Sequence, residues 1–282
     1  MQNILEVLQD TAIDTLKLLP FLFITYLIME YIEHKTSNKI RETIKKSGRF
    51  GPLFGAVVGI FPQCGFSVSA TNLYAARVIS LGTLISVYLA TSDEMLPILL
   101  TESVPIATIL TILGIKLFLG IVAGFIIDFV ANVIKKEEEE KIEELCEHEH
   151  CHCDEGIFSS ALKHTVNIAV FIFVITLILN GIISFVGEDT IAHFISKNVI
   201  LGPIIAGLIG LIPNCASSVI LTELFIEKVI SMPILISGVA VNAGVGLLVL
   251  FKTNKNVKEN ISIVGLLYGI GVIAGIILEL FL

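Results

Sequence analysis

Long apolar runs alternate with short polar stretches along the chain. The runs at 105–134 and 164–186 each hold about 20 or more mostly apolar residues, enough to cross a hydrocarbon core of roughly 30 Å as a helix. A comparable first run covers about 12–33. Residues 51–100 are also apolar, but they are too long for one helix. They are interrupted by Pro62 and by the polar cluster Thr91-Ser92-Asp93-Glu94. The pattern predicts a hairpin of half-helices or two short spans over 51–78, then a discontinuous helix across 82–100. Composition agrees: hydrophobic residues make up 55% and charged residues 16%, against about 25% charged in a soluble domain. The expected fold class is an all-α polytopic membrane protein.

The apolar pattern also repeats. Shifted by 151 positions, residues 51–131 lie on 202–282 without a gap. Gly51-Pro52 falls on Gly202-Pro203, Pro62-Gln63-Cys64 on Pro213-Asn214-Cys215, and Ser67-Val68 on Ser218-Val219. Leu84-Ile85-Ser86 meets Leu235-Ile236-Ser237, and Asp128 meets Glu279. Apolar similarity alone would not hold Pro, Gly, Cys and Ser in one register, so the chain is an internal duplication.

Loop charges orient the two copies. The loop after the first span carries Lys35, Lys39, Arg41, Lys45, Lys46 and Arg49, whereas its counterpart at 187–199 carries Glu188, Asp189 and Lys197. At the next loop the bias reverses: 101–105 offers Glu102 alone, while 252–259 offers Lys252, Lys255 and Lys258 against Glu259. Basic loops stay in the cytoplasm, so equivalent loops are expected on opposite sides, an inverted-topology repeat. Five helical segments per half, with broken or re-entrant helices, satisfy the required odd number of crossings. The expected domains are a first repeat over 1–134, a linker over 135–160 and a second repeat over 161–282. In the plasma membrane this places both termini outside and the linker inside. The N-terminus has no cationic stretch or small-residue cleavage site, so no cleaved signal peptide is expected.

Net charge is −8, but residues 135–155 alone carry ten acids against three lysines. No basic face suggests nucleic acid. The same linker holds Cys146, His148, His150, Cys151, His152 and Cys153. Thiolate and imidazole packed this closely bind borderline or thiophilic metals, although the spacing fits no structural zinc fold. Without these side chains the acidic run would read as a solvated linker.

Repeat transporters place their sites where the copies meet, and paired interrupted segments point to them. One pair is Pro62-Gln63-Cys64-Gly65 with Pro213-Asn214-Cys215-Ala216, where amide oxygens and thiols stand beside helix starts. Ser67 and Ser218 follow one turn later. A proline-kinked helix with a buried, packing cysteine is the alternative. The second pair is Ala90-Thr91-Ser92-Asp93-Glu94 with Val241-Asn242-Ala243-Gly244-Val245. Adjacent carboxylates within an apolar segment normally face a cavity, an ion path or a partner; the alternative is a short external loop. Asn72 and its counterpart Glu223 are further pathway candidates. Lys116, deep in the 105–134 run, needs a partner, for which Asp93 or Glu94 is the natural choice, and it is the candidate coupling residue. Arg77 and Lys228 read as interface anchors.

Pro-Gln-Cys-Gly-Phe-Ser, Pro-Asn-Cys-Ala-Ser-Ser, Ala-Thr-Ser-Asp-Glu-Met-Leu-Pro and Val-Asn-Ala-Gly-Val-Gly resemble a family of ten-helix heavy-metal exporters. Its members are labelled arsenic-efflux-like permeases or manganese transporters, and the resemblance covers nearly the whole chain. It implies metal efflux, while the His/Cys linker looks like a variable insert.

The function expected is secondary export of a divalent transition metal, Mn²⁺ or Zn²⁺, coupled to protons. The sequence carries no nucleotide-binding signature and no nucleophile–base pair or HExxH motif, so it does not read as an enzyme. Asp93, Glu94 and amide oxygens suit Mn²⁺, whereas Cys64, Cys215 and the linker suit Zn²⁺ or Cu⁺. The alternative is a permease for an arsenical or other anionic solute. No cofactor is required; the metal is substrate. The partners expected are the bilayer and the metal ion, with homodimerisation left open.

Overall fold

The structure, a computed structural model, describes residues 48–61, 65–134, 157–186 and 200–281, with scattered positions between residues 8 and 27. The described residues are helical and contain no strand. In chain order the helices are α1 (Gly51–Gly59), α2 (Gly65–Ala75), α3 (Leu81–Ala90), α4 (Met95–Thr101), α5 (Ile106–Ile134), α6 (Ile157–Val186), α7 (Leu201–Gly210), α8 (Cys215–Ile226), α9 (Met232–Val241), α10 (Gly246–Thr253) and α11 (Val257–Phe281). Among the described residues, five stretches are long and apolar enough to cross a membrane, among them Leu81–Thr101 and Met232–Thr253, each containing a break. The chain is a multi-pass membrane protein.

Local chemistry sets these boundaries. Ser80 and Ser231, at one repeat position, are N-caps whose hydroxyls accept from Thr83 N and Ile234 N, satisfying amides that lack a partner in a first turn. Each cap is itself tied down, Ser80 to the Asp128 carboxylate and Ser231 to that of Glu279, both at 2.6 Å. Helices α2 and α8 end alike. Arg77 and Lys228 take positive φ, 57° and 61°. The amides of Val78 and Val229 then reach back to the carbonyls of Leu73 and Leu224. This is the Schellman end, here closed by a basic residue where glycine is usual.

The duplication also repeats in the packing. Helix α3 packs on α1 and α5, and α9 packs on α7 and α11. Ser86 Oγ donates to Pro52 O at 2.5 Å and Ser237 Oγ to Pro203 O at 2.8 Å. The halves also interlock, because α2 packs on α10 of the second repeat and α8 on α4 of the first. One apolar core accordingly joins Tyr74, Leu84 and Tyr88 to Leu247, Leu250 and Leu267. Another joins Met95, Leu99 and Ile112 to Leu221, Leu235 and Val239.

Burial separates inner from outer helices. The broken stretches are 72% and 89% buried, against 28–35% for the unbroken ones. Exposed Leu110, Phe118 and Phe129 on α5, and Ile261, Ile273 and Leu280 on α11, form a surface suited to lipid. The breaks, which leave backbone groups unpaired, are kept inside where protein can satisfy them.

Candidate functional site at the two helix breaks

Each break is built by the residues between two half-helices. In the second repeat Asn242 caps the end of α9 in extended conformation. Its side chain satisfies the break locally: Oδ1 accepts from Gly244 N at 2.7 Å and Nδ2 donates to Ser217 Oγ at 3.0 Å. Gly244 supplies φ 54°, a left-handed turn that glycine adopts without strain. Asn214 caps α8 by accepting from Ala216 N, and Ser217 sits in that first turn. Asn214, Ser217, Ser218, Cys215 and Asn242 are all buried. Of these residues, Ser217 in the first turn of α8 is the one hydrogen-bonded to Asn242 at the second break.

The first break differs at each aligned position from 90 to 94, most consequentially at Asp93. Asp93 stands in register with Gly244 and takes the same left-handed region, φ 29°. Aspartate tolerates positive φ better than most residues, yet such a backbone still costs about 1–3 kcal/mol and is found where surrounding structure enforces it. Asp93 is 4% exposed, and neither carboxylate oxygen has a hydrogen-bond partner. Glu94 is only half-buried, so the adjacent acids do not share one environment. Buried polar groups are almost always paired, so a buried carboxylate with both oxygens unused marks the first break as a candidate site.

Lys116 does not form the expected ion pair with either acid. Its ammonium is completely buried and donates to Thr91 O at 2.5 Å and Val239 O at 2.7 Å. The reason is the break itself: Thr91 caps α3 and Val239 lies in the last turn of α9, and their carbonyls lack the partner that a continuing helix would provide.

A hydroxyl cluster flanks the breaks. Tyr88 OH and Thr71 Oγ1 lie 2.5 Å apart, and both reach Gly246 O at the start of α10. A Cβ on Gly246 would stand 3.0 Å from Ser67 Oγ, so this glycine permits the approach of α10 to α2. Asn72 is buried with Oδ1 accepting from Tyr26 OH at 3.4 Å and Nδ2 unused. Its counterpart Glu223 is exposed. The sequence reading missed Tyr88, Thr71 and Ser217. It also missed the strain at Asp93, for which an acid in register with Gly244 was the available signal.

Gln63, Cys64 and the linker residues Cys146, His148, His150, Cys151, His152 and Cys153 lie outside the described residues. Among the described residues no three His, Cys, Asp or Glu side chains gather to hold a metal.

The profile of a family described as "Putative, 10TM heavy-metal exporter" matches residues 2–166, which span the first repeat, the linker and the start of α6. The match stops short of the nearly complete coverage that the motifs suggested. No curated protein and no solved structure matches the chain.

Proposed function

The chain belongs to this family of ten-helix heavy-metal exporters, and from that premise we propose that it is a secondary exporter of a divalent transition metal, Mn²⁺ or Zn²⁺, with Asp93 as the carboxylate that receives the ion. The observation that carries the reading is the pair of unpartnered oxygens on a 4% exposed acid, in a strained break, inside a buried broken helix. Bringing a carboxylate into low dielectric without a partner costs several kcal/mol. A transported cation offsets that penalty at the moment of binding. Metal export also needs a charge-balanced return, because an uncompensated carboxylate cannot easily face the membrane interior in an empty carrier. A proton on Asp93 during the return step supplies that balance and makes the cycle a proton–metal exchange.

A second reading, a permease for an arsenical or other anion, draws on the buried Lys116 ammonium and the capped start of α8. Backbone carbonyls already engage that ammonium, which favours the cation reading.

The test is transport by purified protein in proteoliposomes across Mn²⁺, Zn²⁺, Co²⁺, Cu⁺ and arsenite. Asp93→Asn should lower divalent-metal transport at least tenfold, the loss about 1.4 kcal/mol of ion stabilisation implies. Asp93→Gly provides the folded control: it relaxes the left-handed backbone as Gly244 does and removes the acid, so it should be at least as stable as the parent and inactive. Unchanged metal transport by Asp93→Gly, or arsenite transport that survives it while no divalent ion moves, would overturn the assignment.

A further inference from the structure

The acceptors around Lys116 define a seat of unusual composition. Thr91 is the C-cap of α3, and Val239 lies in the last turn of α9. One carbonyl comes from each repeat, and each belongs to the unsatisfied set at a helix C-terminus. Such an end carries roughly half a negative elementary charge. Two of them converging on one point balance about one positive charge, which is what Lys116 brings. Backbone therefore neutralises the ammonium, and Asp93, two residues beyond Thr91, keeps both oxygens unused. The repeat counterpart of Lys116 is Leu267, buried in an apolar cluster, so the repeat architecture itself does not require a charge here.

We propose that this seat is a monovalent-cation site that the protein fills from within, the Lys116 ammonium standing where Na⁺ or K⁺ would otherwise bind. Carbonyls of unwound segments and half-helix C-termini are the groups with which broken transmembrane helices hold such ions. An ammonium resembles K⁺ in charge and size and satisfies the same acceptors. Tethering it to α5 ties the breaks of both repeats to a helix outside them, and it frees the resting protein from any need for external Na⁺ or K⁺. The inference goes beyond the assignment of the transported ion and holds whatever Asp93 receives.

Removing the tether should reopen the seat. Purified Lys116→Ala and the parent are heated in equal concentrations of NaCl, KCl, ethylammonium chloride and choline chloride, the last being too bulky for the site. The parent should melt at one temperature in all four. Lys116→Ala should melt lower in choline and regain roughly 2–4 °C or more in at least one of the small cations, by linkage of binding to folding. Equal melting of Lys116→Ala in all four salts overturns the proposal, and so does a parent that shows the same cation dependence. Should Lys116→Ala give no folded protein in any salt, Lys116→Gln and Lys116→Arg decide. The amide of Lys116→Gln can donate to both carbonyls without charge. The proposal survives only if Lys116→Gln melts well below the parent while Lys116→Arg stays close to it; any other pattern overturns it. Transport is not read in these measurements, so their failure leaves the role of Asp93 untouched, and inactivity of Asp93→Gly leaves the seat untouched.

Discussion

Arg77 and Glu259, 182 positions apart, form a two-pronged ion pair, with Nη1 2.6 Å from Oε1 and Nη2 2.8 Å from Oε2. The pair joins the end of α2 in the first repeat to the start of α11 in the second. It has its geometry because the left-handed turn at Arg77 swings the side chain off the helix, where the Tyr74 ring supports the guanidinium at 5.2 Å. The Tyr74 hydroxyl donates to the same carboxylate. The sequence suggested only an interface anchor at Arg77.

This pair should contribute modestly, because its side chains are 43% and 21% exposed and solvent screens them. A double-mutant cycle of Arg77→Ala and Glu259→Ala, read by thermal or denaturant unfolding, should give a coupling energy of about 1 kcal/mol, the upper end for an exposed pair. The coupling should shrink in high salt. A coupling near zero in low salt would make the contact incidental.

Glycines at equivalent repeat positions give a matched comparison. A Cβ on Gly59 would meet Val87 O at 2.6 Å, and one on Gly210 would meet Gly238 O at 2.1 Å. Both neighbours are backbone and cannot swing away. Gly59→Ala and Gly210→Ala should each destabilise by about 1–3 kcal/mol through forced separation of the packed helices. Gly114 and Gly265, also a repeat pair, have nothing within 4 Å. Substituting alanine there should raise stability by about 0.5–1 kcal/mol, because glycine is the poorer helix former. Unfolding midpoints of the four variants check both signs. A neutral Gly210→Ala would show that the α7–α9 contact is looser than its geometry.

The breaks were legible because polar residues interrupt apolar runs at the same register in both halves, Thr91 to Glu94 and Asn242 to Val245. The caps at Ser80 and Ser231 and their ties to Asp128 and Glu279 follow the same register. What Lys116 binds was not legible. Its partners are backbone carbonyls, which carry no residue signature, so the search for an acid led to the wrong contact. The interlocking of α2 with α10 and α8 with α4 was hidden for another reason: periodicity assigns a buried face to a helix but not the helix that covers it. Asp93 was picked out for its charge, whereas its structural distinction is an acid held where its counterpart is glycine.

The linker is absent from the duplication, since the ungapped register runs from 51–131 to 202–282 and omits it. Its residues 135–156 lie outside the described residues. A transport core whose breaks, caps and cores are supplied by the repeats should work without it. Deleting 137–155 should leave efflux measurable while raising the metal concentration needed for half-maximal rate, because a local reservoir of thiol and imidazole ligands is lost. Efflux kinetics of the deletion and of the sextuple Cys/His-to-Ser linker variant measure this. Abolished transport in a deletion that still inserts in the membrane would place the linker in the transport step itself.

Inversion of the two repeats is a separate question from their similarity, because paired contacts such as Ser86–Pro52 and Ser237–Pro203 would exist in parallel copies too. The Arg77–Glu259 pair bears on it: it sets the turn after α2 at the same end of the bundle as the turn before α11. In an inverted arrangement with a re-entrant α1–α2 hairpin, both of those turns are cytoplasmic, together with the basic loop at 34–49. The counterpart loop at 187–199 is then external. Both loops fall largely or wholly outside the described residues, so labelling must decide. Single cysteines at positions 35–46 should react with an impermeant maleimide only from the cytoplasmic side, and those at 187–197 only from the outside. A cysteine replacing Lys255 should behave like the first set. If the 35–46 and 187–197 sets react from the same side, the copies are parallel, and the charge asymmetry of their loops has some other origin than membrane orientation.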